Sequence, residues 1–124
     1  MRMTIKDFCT LLVATMKING ISNFDINRIS ENLGKYFDNF DSKILFVNLS
    51  LGKDNEIIGM KEYLWSMLFS GYGYFVPEGT KWEIIIDNKT ANLIIERYSI
   101  EYQQAMSFLV NEYYQNIKEK VLKK

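Results

Sequence analysis

The first twenty residues have the hydrophobic pattern of an amphipathic helix. Apolar positions recur at intervals of three and four, which places them on one helical face. They are Ile5, Phe8, Cys9, Leu12 and Met16. Thr4 followed by Asp7 predicts a start resembling a capping box, and Gly20 predicts the end of the helix. Cys9 lies on the apolar face, and no basic residue shares that face with it at helical spacing, so we interpret it as a core residue and not a nucleophile.

A second apolar face begins after Ser22 or Asp25, either of which can cap a helix. Its members are Ile26, Ile29, Leu33, Phe37 and Phe40. The next run, residues 42–51, is ambiguous. Its apolar residues alternate as in a strand, but Asp41 or Ser42 can also cap a helix there. We favour the helix.

A further helix is predicted over Glu56–Ser70, and Gly71 ends it. Its main apolar face consists of Ile57, Met60, Leu64, Met67 and Leu68. Ile58, Trp65 and Phe69 lie beside that face, so most of the helix circumference is apolar. Such a helix is either central in the core or covered by a partner.

The hydrophobic period then changes from that of a helix to that of a strand. Tyr72–Val76 and Lys81–Asp87 predict two strands joined by a turn at Pro77–Thr80. A second turn, Asp87–Thr90, leads to a predicted third strand through Leu93–Ile95. Residues 91–97 lack a clean alternation, so this last piece has a helical alternative.

Ser99 is the predicted cap of a long final helix. Its apolar face consists of Tyr102, Met106, Leu109, Val110, Tyr113, Ile117 and Val121. Residues 1–124 contain no repeat or linker and predict one α+β domain. It is mainly helical, with a small antiparallel β-hairpin or three-stranded meander and a long C-terminal helix.

Composition removes several classes of function. The chain has no histidine and one cysteine, which excludes an internal disulfide, Cys/His zinc sites and histidine-based triads. The fragment Gly71-Tyr72-Gly73 leaves a helix and enters a strand, the reverse of a dinucleotide motif. We therefore predict no enzyme, and no catalytic, cofactor-binding or metal-binding residues. The longest uncharged stretch, Tyr63–Pro77, is too short to span a bilayer, and the single thiol favours the cytoplasm.

Aromatic residues are the least ordinary part of the composition. The chain has eight Phe, eight Tyr and two Trp residues, more than one small core needs, so several are expected at the surface. Tyr and Trp supply much of the binding energy at protein interfaces. An AT-rich genome is an equally good explanation of the surplus. The candidate protein-binding residues are Trp65, Phe69, Tyr72, Tyr74, Glu78 and Tyr114.

Two segments resemble DNA-binding folds. Arg28-Ile29-Ser30-Glu31-Asn32-Leu33-Gly34 resembles the first helix and corner of a helix-turn-helix. A helix feeding the predicted hairpin resembles a winged-helix domain, a fold in which many members bind proteins. Both resemblances imply a transcriptional regulator as the alternative function, with Arg28, Lys35 and Lys43 contacting duplex DNA.

Charge favours a protein partner over nucleic acid. The net charge is zero, but residues 54–112 carry a balance of −5 between more basic flanks. We therefore predict a small interaction module that binds another protein. An acidic, aromatic surface suits the basic groove of a nucleic-acid enzyme, so a phage- or mobile-element-encoded inhibitor of host defence is one form of this hypothesis. Homodimerisation through the final helix is compatible with either function, and Tyr114, or Phe69 on the earlier helix, would be natural contacts if exposed.

Overall fold

The computed structural model describes residues 3–34, 52–53, 56–76 and 81–122, with side chains as far as 115 in the last helix. Within these residues, five α-helices and three strands follow one another. They are α1 (Ile5–Ile18), β1 (Asn23–Asp25), α2 (Ile29–Gly34), α3 (Met60–Met67), β2 (Gly73–Phe75), β3 (Lys81–Ile84), α4 (Asn88–Ile95) and α5 (Ile100–Leu122). A wide π-helical turn, Leu68–Tyr72, joins α3 to β2. The α+β class and the long final helix are confirmed.

Helix α1 is the centre of the core. Its predicted cap is confirmed: Thr4 Oγ1 accepts a hydrogen bond from the Asp7 amide at 3.1 Å, and Gly20 follows the helix with φ +80°. Helices α3, α4 and α5 all pack against α1. Leu11 and Val13 are therefore buried along with the predicted apolar face. A helix covered on several sides needs apolar residues around most of its circumference, not on one stripe.

The sheet is antiparallel, with the strands in the order β1–β3–β2. Strands β2 and β3 are the predicted hairpin, shorter than predicted at both strands, and the predicted turn at 77–80 lies outside the described residues. Phe24 and Phe75 lie on either side of Trp82 across the three strands. Trp82 has no exposed surface, and the Phe24 ring meets its indole edge-on at 4.9 Å. These three side chains join the sheet to the helical core.

The prediction for residues 22–28 was wrong, because no helix begins at Ser22 or Asp25. Asn23–Asp25 is strand β1, and the Ser22 carbonyl accepts a hydrogen bond from the Ile84 amide at 2.8 Å. Asp25 Oδ1 accepts hydrogen bonds from the amides of Asn27 and Arg28, which forms a turn before α2. Only the pairing with β3, distant in sequence, makes this short polar segment a strand. Phe37, Phe40 and residues 42–51 lie outside the described residues.

The start of the fourth predicted helix was also wrong. Helix α3 begins at Met60, four residues after Glu56, because Gly59 has φ +88° and cannot continue a helix. Ile57, Met60, Leu64 and Met67 are buried as predicted. The predicted end at Gly71 is confirmed by its φ of +93°.

The predicted third strand at Leu93–Ile95 was wrong, and the helical alternative is correct. Asp87 Oδ1 accepts a hydrogen bond from the Thr90 amide at 2.7 Å and caps α4. Ala91 and Ile94 face α1, where they form a small apolar cluster with Ala14. The third strand is instead β1, and the described elements up to the hairpin follow in the order helix, strand, helix, helix and hairpin. This arrangement is winged-helix-like.

Candidate protein interface

Three aromatic side chains form a row from the sheet to the surface, and we call Phe75, Trp65 and Phe69 the aromatic row. Trp65 and Phe69 are four residues apart, so they share one side of the helix and its following turn. The Trp65 and Phe69 rings stack at 6.3 Å with an angle of 27° between their planes. The Trp65 ring also lies 5.4 Å from the Phe75 ring.

The row is buried at one end and open at the other. Trp65 and Phe75 are partly buried and pack against the core, whereas Phe69 is 81% exposed. Other large apolar side chains are more than half exposed, and they are Ile58, Tyr74, Ile85, Leu93, Ile100 and Phe108. Phe69 is the most exposed of them, and fully burying a phenylalanine against a partner releases about 2 kcal/mol.

Local structure holds Phe69 in this position. The Ser70 hydroxyl donates a hydrogen bond to the Ser66 carbonyl at 2.9 Å across the last turn of the helix. Gly71 then adopts its positive φ, which only glycine takes without strain, and directs the chain into β2. The rings of Phe69 and Phe75 thereby both come close to the Trp65 ring.

The remaining candidates do not join the aromatic row in one site. Tyr72 is half-buried and packs against both apolar clusters of the core. Tyr74 is 54% exposed and pairs with Glu83 across the hairpin. Tyr114 is 37% exposed on α5, next to the buried Tyr113. Glu78 lies outside the described residues.

Phe75 belongs to the site but was missed from the sequence. It alternates with Tyr74 along β2, and the predicted binding residues Tyr72 and Tyr74 belong to the other side of that strand. Alternation identifies two sides of a strand but does not say which of them faces the helix. Only the packing of Trp65 against Phe75 decides that question.

Helix α3 leads into the hairpin, and its charge does not suit DNA. Its exposed charged residues are Lys61 and Glu62, which cancel. DNA-binding helices bring basic and amide side chains to phosphates and bases. Arg28 is exposed near α2, and its amide binds Asp25. Lys35 and Lys43 lie outside the described residues.

Cys9 has the chemistry of a core residue. It is fully buried on α1, and its thiol lies 3.9 Å from the Met60 carbonyl, which accepts its hydrogen bond. Burial raises the pKa of the Cys9 thiol to about 12, so the reactive thiolate is scarce at neutral pH. In the described part of the chain, no group of three or more Cys, Asp and Glu side chains is arranged to hold a metal ion.

Two further findings bear on function. Within the described ranges, no helix combines the length and the apolar character that crossing a membrane requires. Comparison with known proteins gives no matching family model, no matching curated protein and no matching solved structure.

Proposed function

We propose that this protein is a small binding module that acts in the cytoplasm by docking the aromatic row onto another protein. The observation that carries the proposal is the 81% exposure of Phe69, whose ring is already stacked on Trp65. A held aromatic side chain loses little conformational entropy on binding, so most of its burial energy contributes to affinity. Large anchors of this kind dominate measured interfaces.

The class of partner follows from charge. Residues 54–112, which contain the aromatic row, have a balance of −5. Oppositely charged surfaces associate faster and exclude wrong partners. The proposed partner is therefore a protein with a basic surface, as on a nucleic-acid enzyme, and inhibition of such an enzyme in a phage host is the specific form of the proposal.

Site-directed photo-crosslinking tests the proposal. A benzoylphenylalanine at position 69, in the cells that naturally contain the protein, is expected to cross-link one predominant protein. The matched control carries the same group at position 93, since Leu93 is also exposed but lies on α4. Equal capture at both positions, or none at position 69, would refute docking through the aromatic row.

Affinity measurements with the captured protein complete the test. Phe69→Ala is expected to weaken binding about 30-fold, the effect of losing about 2 kcal/mol at an interface anchor. Leu93→Ala is expected to change it less than twofold. The same purified protein is titrated with an AT-rich duplex, for which we expect no binding at about 50 mM salt. Binding that weakens steeply with added salt would favour the DNA-binding alternative instead.

A further inference from the structure

A cavity of about 520 Å³ lies between α1 and α3 and extends to the π-helical turn that follows α3. This volume is within the range of sites for small ligands. We call it the hydroxyl-lined cavity, because most of its described lining residues carry a hydroxyl group. They are Thr10, Tyr63, Ser66, Ser70 and Tyr72. Lys6 lines the same cavity.

Small side chains on two neighbouring helices leave this space open. Lys6 and Thr10 are four residues apart, so they share one side of α1. Tyr63, Ser66 and Ser70 recur at intervals of three and four, so they share one side of α3 and its following turn. The two helices are in contact, and the short side chains of Thr10, Ser66 and Ser70 do not fill the gap between them.

The cavity offers both donors and acceptors of hydrogen bonds. The Thr10 hydroxyl donates to the Lys6 carbonyl at 2.8 Å, and the Ser70 hydroxyl donates to the Ser66 carbonyl at 2.9 Å. Because each of these protons is engaged, the Thr10 and Ser70 oxygens can only accept a hydrogen bond from a ligand. The hydroxyls of Tyr63, Ser66 and Tyr72 form no hydrogen bond within the described part of the chain, so they can donate to a ligand.

The charge of the cavity is positive. Lys6 is the one charged residue among its described lining residues, and no described carboxylate forms an ion pair with it. The carboxylate of the neighbouring Asp7 does not line the cavity. It accepts hydrogen bonds from the hydroxyls of Thr4 and Tyr98, at 3.0 and 3.1 Å. An anionic group in the cavity therefore meets an ammonium group and several hydroxyls, and no acid of the described lining.

We propose that the hydroxyl-lined cavity binds a sugar phosphate, either free or as part of a nucleoside monophosphate. The terminal oxygens of a phosphate group accept several hydrogen bonds at once, which Lys6 and the free hydroxyls supply. The hydroxyls of the sugar donate to the oxygens of Thr10 and Ser70. The rings of Tyr63 and Tyr72 provide apolar surface for the carbon face of the sugar or for a base.

An NMR titration of the full chain with ribose 5-phosphate and with adenosine monophosphate tests the proposal. Saturable shifts are expected at the amides of Thr10, Ser66 and Ser70, with a dissociation constant of about 1 mM or lower. Equal affinity for the two ligands would assign the site to the sugar phosphate alone, and tighter binding of adenosine monophosphate would assign it to a nucleotide. Ribose and inorganic phosphate are each expected to bind at least about tenfold more weakly, since each lacks one half of the recognised group.

Three variants locate the binding. Lys6→Gln is expected to weaken it about fivefold, the effect of losing one exposed charge pair. Ser66→Leu fills the cavity and is expected to abolish binding without unfolding the protein, because Ser66 is exposed. Lys61→Gln is the matched control, since Lys61 is an exposed lysine of α3 that does not line this cavity, and it should change nothing.

Each other outcome overturns the proposal. Absence of saturable shifts at about 10 mM ligand would mean that the cavity holds no sugar phosphate. Equal binding of ribose would remove the role of the phosphate, and equal binding of inorganic phosphate would indicate a surface lysine that attracts any anion. An effect of Lys61→Gln as large as that of Lys6→Gln would have the same meaning. The cavity contains no residue of the aromatic row, so this titration and cross-linking at position 69 can fail independently.

Discussion

Gly73 is the position where the smallest substitution should have the largest effect on stability. It lies in β2 beneath the indole of Trp82, which is completely buried. A methyl group on Gly73 would overlap the Trp82 indole nitrogen and the Glu83 carbonyl oxygen. The backbone at Gly73 is extended, with φ −167°, so the glycine is needed for space and not for an unusual conformation.

Two effects of Gly73→Ala oppose each other. In an open strand, alanine would stabilise the protein by about 0.5–1 kcal/mol, because glycine loses more conformational freedom on folding. Overpacking a well-filled core costs about 1–3 kcal/mol, and here one of the overlapping atoms is backbone that cannot rotate away. We therefore expect a net loss of about 2 kcal/mol, equivalent to about 8 °C in melting temperature for a domain of this size.

Urea and thermal unfolding of a double-mutant cycle measure this effect. Trp82→Phe removes the part of the indole that occupies the space above Gly73. It also removes the buried indole N–H, which has no hydrogen-bond partner among the described residues. Gly73→Ala should therefore cost about 1 kcal/mol less in the Trp82→Phe background than in the unmutated protein. An unchanged stability of Gly73→Ala alone, or an equal cost in both backgrounds, would refute the packing argument.

Three further predictions concern single groups. Asp87→Ala should lower the melting temperature at neutral pH, because it removes the cap of α4. The hydrogen bond from the Thr90 amide lowers the pKa of Asp87. The difference in melting temperature between the variant and the unmutated protein should therefore disappear as the pH falls below about 4 and through that lowered pKa. Tyr98→Phe should cost about 1 kcal/mol, because the Tyr98 hydroxyl donates to Asp7 at 3.1 Å. Burial and Asp7 raise the pKa of Tyr98 to about 12. Urea melts should therefore show this stabilisation intact below about pH 10 and lost between about pH 10 and 12. The prediction would be contradicted if Tyr98→Phe and the unmutated protein had the same dependence of stability on pH in that range. Cys9 should react with iodoacetamide at pH 8 only after denaturation, and rapid labelling of the native protein would contradict its burial.

Elements with strong local signals were predictable from the sequence. Thr4 and Ser99 were identified as caps, and each accepts a hydrogen bond from the amide three residues later. The apolar faces of α1, α3 and α5 and the hairpin followed from hydrophobic period alone. These features depend on residues within one or two turns of each other, which is the range over which sequence patterns act.

Elements that depend on distant contacts were not predictable. Strand β1 has three residues and little strand propensity, and it exists because β3 supplies its hydrogen bonds. The sequence at the start of helix α4, where Asp87 is the cap, is equally typical of an ordinary turn. The packing of Ala91 and Ile94 against α1 is what makes the segment a helix. In both segments the tertiary context outweighs a weak local preference.

The same division applies to the candidate site. The aromatic surplus and the absence of histidine are properties of the sequence, and together they favour the prediction of protein binding over that of catalysis. The sequence also placed Trp65 and Phe69 beside the main apolar face of a predicted helix. It did not determine that Phe75 would complete the row or that Tyr72 would turn into the core. Spacing fixes only the angle of a side chain about its own helix or strand. Whether that side is buried depends on which other elements pack against it, and this is decided by contacts between residues far apart in the chain.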